Sequence, residues 1–163
     1  MRIISIDPGY ERLGVAILEK EPKQKEVLLF SECFKTSPKL PHSERLALIG
    51  NRIREVVQEY RPEVMATEKL FFSGNQKTAM LVAEARGVIL FIGSSLGLPI
   101  FEYAPADIKI AITGYGKAVK HQVIDMVKKL IVVDLPAQAG KKTNSDDEFD
   151  AIAIGLTHFA IHR

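Results

Sequence analysis

Asp7, Glu68, Asp147 and Asp150 are the residues of this sequence best placed to do chemistry. Asp7 closes the apolar run Ile3-Ile4-Ser5-Ile6 and opens Asp7-Pro8-Gly9, which is also a good turn in its own right. On local grounds Asp7 therefore stays open between a turn residue and a functional acid. Glu68 ends the run Val64-Met65-Ala66-Thr67 and precedes Leu70-Phe71-Phe72, so it belongs at the edge of the core. An unpaired carboxylate there is costly and calls for a cation or a hydrogen-bond partner. Lys69 is one candidate, although sequence neighbours in a strand point to opposite sides. Near the other end, Asp147, Asp150, Ile154, Thr157 and Ile161 fall on one stripe at helical spacing. The two aspartates continue a mainly apolar, sheet-facing stripe toward the helix start. Favourable alignment with the helix dipole accounts for Asp146 and Glu148 in a first turn, but poorly for a core-side Asp150.

Carboxylates gathered in one place repel one another and raise each other's pKa, and divalent cations relieve that repulsion. An all-oxygen set with no nearby Cys or His ligand suits Mg²⁺, with Mn²⁺ plausible, rather than Zn²⁺. Two such ions per active site could activate a water and stabilise the leaving oxygen in phosphodiester hydrolysis. Asp146 beside Asp147 leaves a one-residue ambiguity in this assignment.

These acids need a scaffold. Residues 3–6, 13–18 and 26–31 read as an antiparallel meander of three strands. A helix follows over 43–60 with Ser43 placed to cap it, then a buried strand over 64–67 and a helix over 76–96. A short strand at 99–103 precedes helices at 105–113 and 118–131, a polar loop to Ser145 and a last helix over 147–161. Ala151, Ala153 and Gly155 would let that helix lie close to the sheet. The expected architecture is α/β: a mixed five-stranded sheet, antiparallel meander then parallel strands, flanked by helices. Asp7 and Glu68 both fall at carboxyl ends of core strands, where sites in open α/β sheets gather.

The 163 residues are 47% hydrophobic and 26% charged, with no Pro/Gly/Ser-rich linker, which fits one domain over residues 1–163. A net charge of +2 announces no nucleic-acid partner by itself. Residues 105–145 are distinctly basic, through Lys109, Lys117, Lys120, Lys128, Lys129, Lys141 and Lys142, which suits either a solvated face or phosphate contact. The lone Cys33 suits a reducing cytosol and an ordinary packing role. Charge appears too early at the N-terminus for a signal peptide, and no apolar run approaches the roughly 20 residues of a membrane span. The expectation is a cytoplasmic protein without membrane contact.

Ile6-Asp7-Pro8-Gly9 with Gly14, Thr67-Glu68-Lys69-Leu70-Phe71, Glu84-Ala85-Arg86-Gly87 and Asp147 through His158 occur in this order over nearly the whole chain. Together with Phe101-Glu102-Tyr103-Ala104-Pro105, Lys109 and Lys120, they resemble the RuvC family of bacterial crossover junction endodeoxyribonucleases. The resemblance implies an RNase H-like fold and a homodimer that binds a four-way DNA (Holliday) junction and makes paired symmetric nicks. It also implies a functional partnership with the RuvA–RuvB branch-migration complex. Carried onto this sequence, the catalytic and metal-binding carboxylates are Asp7, Glu68, Asp147 and Asp150. Lys109 and Lys120 match positions implicated in DNA handling and catalysis, and Lys117 is read as DNA-binding with them. Phe71 matches an aromatic that contacts bases near the crossover; taken alone, its neighbours Leu70 and Phe72 would suggest core packing. The segment 137–145 is longer and more basic than the family pattern, and some members carry histidine where Asp147 stands.

Three other readings compete. An actin-like or sugar-kinase ATPase also opens on a strand ending in Asp-x-Gly, but it duplicates the fold, and 163 residues do not hold both halves. Another RNase H-like nuclease, acting on RNA or on other DNA structures, would share the carboxylates. A catalytically silent junction-binding module would gain nothing from clustered negative charge beside phosphates.

Overall fold

The computed structural model describes residues 1–70, 76–133 and 145–162. Strands β1 (Arg2–Asp7), β2 (Arg12–Glu19) and β3 (Val27–Lys35) form the antiparallel meander. Then come α1 (His42–Tyr60), β4 (Val64–Glu68), α2 (Gln76–Ser95), β5 (Ile100–Tyr103), α3 (Pro105–Thr113), α4 (Lys120–Leu130), β6 (Val132–Val133) and α5 (Asp146–Ile161). The sheet order is β5-β4-β1-β2-β3-β6. All five expected strands are present. The sixth, β6, was not expected: a two-residue strand has no readable period and exists only by parallel pairing with Val27 and Leu28 of β3.

β1 is the central strand of the site. Its β-branched run lies fully buried, paired antiparallel to β2 on one side and parallel to β4 on the other. Strand alternation divides its side chains between two layers. Ile4 and Ile6 join Val15, Ile17 and Met65 against Ile49, Ile53 and Val56 of α1 and Ala85, Ile89 and Ile92 of α2. Ile3 joins Ala16, Leu18 and Ala66 in the opposite layer, against Ile108 of α3, Val123 and Val127 of α4, and Ala151 and Ile154 of α5. Ile6 of β1 lies opposite Thr67 of β4, so Asp7 and Glu68 end adjacent parallel strands.

Helix α5 lies on β1 and β2 because small residues remove the obstacles. A methyl group on Gly155 would sit 2.7 Å from Leu18 Cδ1 and 2.9 Å from Ser5 Oγ. At the other end of the contact, a methyl on Gly14 would sit 2.1 Å from the Asp147 carbonyl oxygen. His158 is buried along the same helix, with Tyr103 Oη 2.8 Å from its Nδ1. Burial, helped by His162, lowers its pKa to about 4, so it is a neutral packing residue.

Two details differ from the sequence expectation. Helix α1 starts at His42 after an extended Pro41, whose carbonyl accepts from the Glu44 and Arg45 N–H groups, so Ser43 lies inside the first turn and caps nothing. The stretch Thr78–Ser95 of α2 is long and apolar enough, on average, to cross a membrane. Glu84 and Arg86 interrupt its run of apolar residues; Glu84 Oε2 lies 2.6 Å from His42 Nε2 and Arg86 is ion-paired to Glu102, while Ala85, Ile89 and Ile92 pack in the core.

Candidate active site

The start of α5 is held by a capping box. The Ser145 hydroxyl accepts from the Glu148 N–H, and the Glu148 carboxylate accepts from the Ser145 N–H at 3.1 Å. Glu148 also accepts from the Ser31 hydroxyl at 2.9 Å, tying the helix start to β3. With Gly14 pressed against the Asp147 carbonyl, the first turn of α5 has little freedom, and Asp147 and Asp150 are brought over the ends of β1 and β4.

The loop after Asp7 is held from the other layer. Arg45 is buried, donates to Thr36 Oγ1 at 2.9 Å and to the Tyr10 carbonyl at 3.3 Å, and lies over the Tyr10 ring.

The four carboxylates form one electrostatic unit. Burial raises the Asp7 pKa well above the ordinary aspartate value, reinforced by Asp150, Glu68 and Asp147. Burial also raises Glu68, with Asp150 adding to it and Lys109 and Lys120 opposing it. Asp150 is raised by burial against the pull of Lys120, whose Nζ stands 3.0 Å from Asp150 Oδ2. Asp147 behaves differently: burial pushes it up, but hydrogen bonds from Arg12 and Cys33 more than offset that and leave it low.

A cavity of about 270 Å³ opens between β4, α3, α4 and α5. Glu68, Lys109, Lys120 and Asp150 bring its charge, and Ile108, Val123 and Ile154 its apolar wall. Asp7 and Asp147 flank this cavity rather than line it. Among the described residues no three Asp, Glu, His or Cys side chains converge closely enough to enclose an ion as they stand. The donor chemistry nevertheless fits a hard divalent cation: the acids are all oxygen donors, and Asp7, Glu68 and Asp150 are raised by burial and mutual repulsion that such an ion would relieve.

Asp146 lies on the Lys120 side, 3.5 Å from its Nζ, and adds to the raising of Asp150, whereas Asp147 adds to that of both Asp7 and Asp150. Lys117 is exposed on the turn between α3 and α4, outside the cavity lining. Phe71, Lys141, Lys142 and most of the segment 137–145 lie outside the described residues. Lys69 is exposed, and Glu68 has Lys109 and Lys120 as its cationic neighbours instead. Arg12, Cys33 and Glu148 were not expected at the site. Only the Ser145-to-Glu148 spacing carried a readable signal, that of a capping box.

A mixed sheet of this order, with acids at the ends of two adjacent core strands and on a closing helix, is the architecture of the RNase H-like nucleases. The family described as crossover junction endodeoxyribonuclease RuvC matches residues 3–158. The RuvC of Moorella thermoacetica is 39% identical over 158 residues, covering 97% of this chain and 90% of that protein. The RuvC of Halothermothrix orenii is 40% identical over 159 residues, covering 97% and 92%. Among solved structures, T. thermophilus RuvC in complex with a Holliday junction substrate superposes with a TM-score of 0.88 at 34% identity, covering 100% of this chain and 95% of that one. The chain belongs to the RuvC family of crossover junction endodeoxyribonucleases.

Proposed function

We propose that this protein resolves four-way DNA junctions by hydrolysing phosphodiesters at Asp7, Glu68, Asp147 and Asp150, within one nuclease domain spanning residues 1–163. The observation that carries the reading is one cavity lined by Glu68, Asp150, Lys109 and Lys120, with Asp7 and Asp147 coupled electrostatically to those acids beside it. The acids would hold Mg²⁺ or Mn²⁺, two ions per site. When bound, such ions lower the pKa of an attacking water and neutralise charge on the leaving oxygen.

The chain's own residues do the rest. Glu68 and Asp150 face the cavity and orient what enters it. Lys120, paired with Asp150, and Lys109, beside Glu68, offer positive charge to non-bridging phosphate oxygens. Lys117 extends that cationic surface to a flanking phosphate. Phe71, three residues after Glu68 in the chain, is assigned to stacking on an unpaired base at the junction centre.

Paired nicks need two copies of the site. Helix α2 offers a dimer face: Met80 and Phe91 are 64% and 66% exposed on one stripe of it. A face of that kind suits burial against a second copy. A homodimer acting in the bacterial cytoplasm, in functional partnership with the RuvA–RuvB branch-migration complex, completes the proposal.

The substrate assignment is tested by mapping nicks on end-labelled DNA with Mg²⁺ present. Symmetric paired cuts in a mobile four-way junction, with linear duplex of the same sequence largely intact, are expected. Equal cleavage of the linear duplex overturns the junction-specific reading.

A further inference from the structure

Asp147 and Asp150, near the start of α5, each carry a cation. Asp150 has Lys120 at 3.0 Å, and Asp147 has Arg12. Arg12, the first residue of β2, donates from Nε at 2.8 Å and from Nη2 at 2.5 Å, both to Asp147 Oδ2. The Cys33 thiol, from the neighbouring strand β3, reaches the same oxygen at 3.3 Å. Three donors thus converge on one oxygen of a residue assigned to the acidic centre.

The surroundings show which partner can let go. The Asp147 backbone is pressed onto Gly14 and fixed by the capping box, so only its side chain can change partner. The Arg12 side chain is 49% exposed, against 8% for Arg45. Arg45 is built into its layer, while Arg12 can swing into water at little desolvation cost.

We propose that Arg12 is an exchangeable latch that satisfies Asp147 in the metal-free protein and competes with a divalent cation for its carboxylate. This rests on the reading of Asp147 as a metal ligand. Metal loading then requires the latch to open, and the concentration of metal needed to fill the centre is set partly by Arg12. Once released, the guanidinium stands at the rim of the site, free to meet a phosphate.

Titration calorimetry of the DNA-free full chain with Mn²⁺ tests this without any activity readout. Arg12→Gln should tighten Mn²⁺ binding about two- to fivefold, the factor an exposed ion pair is worth. Lys35 provides the control, because it is exposed and lies opposite Arg12 in the β2–β3 ladder. Lys35→Gln removes the same unit of charge from the same rung without removing a donor to Asp147, and should move Mn²⁺ affinity less. Unchanged or weaker Mn²⁺ binding in Arg12→Gln overturns the latch, and so does an equal gain in Lys35→Gln, which would reduce the effect to the general field. Asp147→Asn separates the two levels of the claim. It should weaken Mn²⁺ binding and abolish the gain from Arg12→Gln. If Asp147→Asn leaves Mn²⁺ binding untouched, the ligand assignment itself is wrong and the latch falls with it.

Discussion

Asp7→Asn is expected to lower junction cleavage by about a thousandfold or more while raising the thermal stability of the metal-free protein. Both effects come from the same crowding. Asp7 is buried beside Asp150, Glu68 and Asp147, and its pKa stands well above the ordinary value. A group whose folded pKa is raised holds its proton more tightly in the folded state. Its favourable contribution is complete below the unfolded value of about 3.9 and is lost as pH rises through the folded value. Without metal, the melting temperatures of wild type and Asp7→Asn should therefore be close near the acid end. The variant's advantage should grow toward neutral pH. Adding Mn²⁺ should narrow the gap by stabilising wild type preferentially, through binding that the variant has largely lost. A variant less stable than wild type at neutral pH without metal would contradict this picture of the centre.

Gly14→Ala is the second large effect, and it acts through backbone rather than charge. The added methyl would meet the Asp147 carbonyl oxygen at 2.1 Å and Asp7 Cβ at 3.1 Å. A backbone carbonyl in a capped first turn has no rotamer to escape into, so α5 must withdraw from β2. That costs about 1–3 kcal/mol as overpacking and displaces Asp147 and Asp150 together. Displacements on the ångström scale at reacting groups cost rates of about a hundredfold, so kcat should fall by that much while junction binding persists. Gly155→Ala is the informative comparison, since its methyl meets the Leu18 and Ser5 side chains. It should lower stability with a much smaller loss of kcat, because Asp150 lies more than one turn away, Asp147 more than two, and the methyl meets side chains rather than backbone. Wild-type kcat in Gly14→Ala would show that the close approach of α5 is not what positions them.

The contrast between these glycines also marks what the sequence could disclose. The β-branched run before Asp7 and the apolar run before Glu68 announced buried strands, and the stripe through Asp147, Asp150 and Ile154 announced a helix facing the sheet. Those periodicities sufficed for the architecture and for four candidate acids. Gly14 stood out only through its place after Asp7-Pro8-Gly9; that it makes room for another backbone is a tertiary fact. β6 was illegible because its two residues carry no period. Arg12 and Cys33 sit on neighbouring strands, far in sequence from Asp147, and nothing local distinguishes an arginine that grips a candidate site acid from one in water. Lys109 and Lys120 were reached through family likeness, since charge alone did not separate them from the other lysines of that stretch.

The most direct measurement of the central claim is cleavage and binding of one labelled mobile four-way junction by wild type and by Glu68→Gln, with Mg²⁺ for cleavage and Ca²⁺ for binding. Glu68 lines the cavity between Lys109 and Asp150, and the isosteric amide keeps its volume while removing its charge. Wild type should make paired symmetric nicks. Glu68→Gln should bind the junction with comparable affinity and cut at least about a thousandfold more slowly. Undiminished cleavage by a correctly folded Glu68→Gln would place the chemistry somewhere other than this acidic centre.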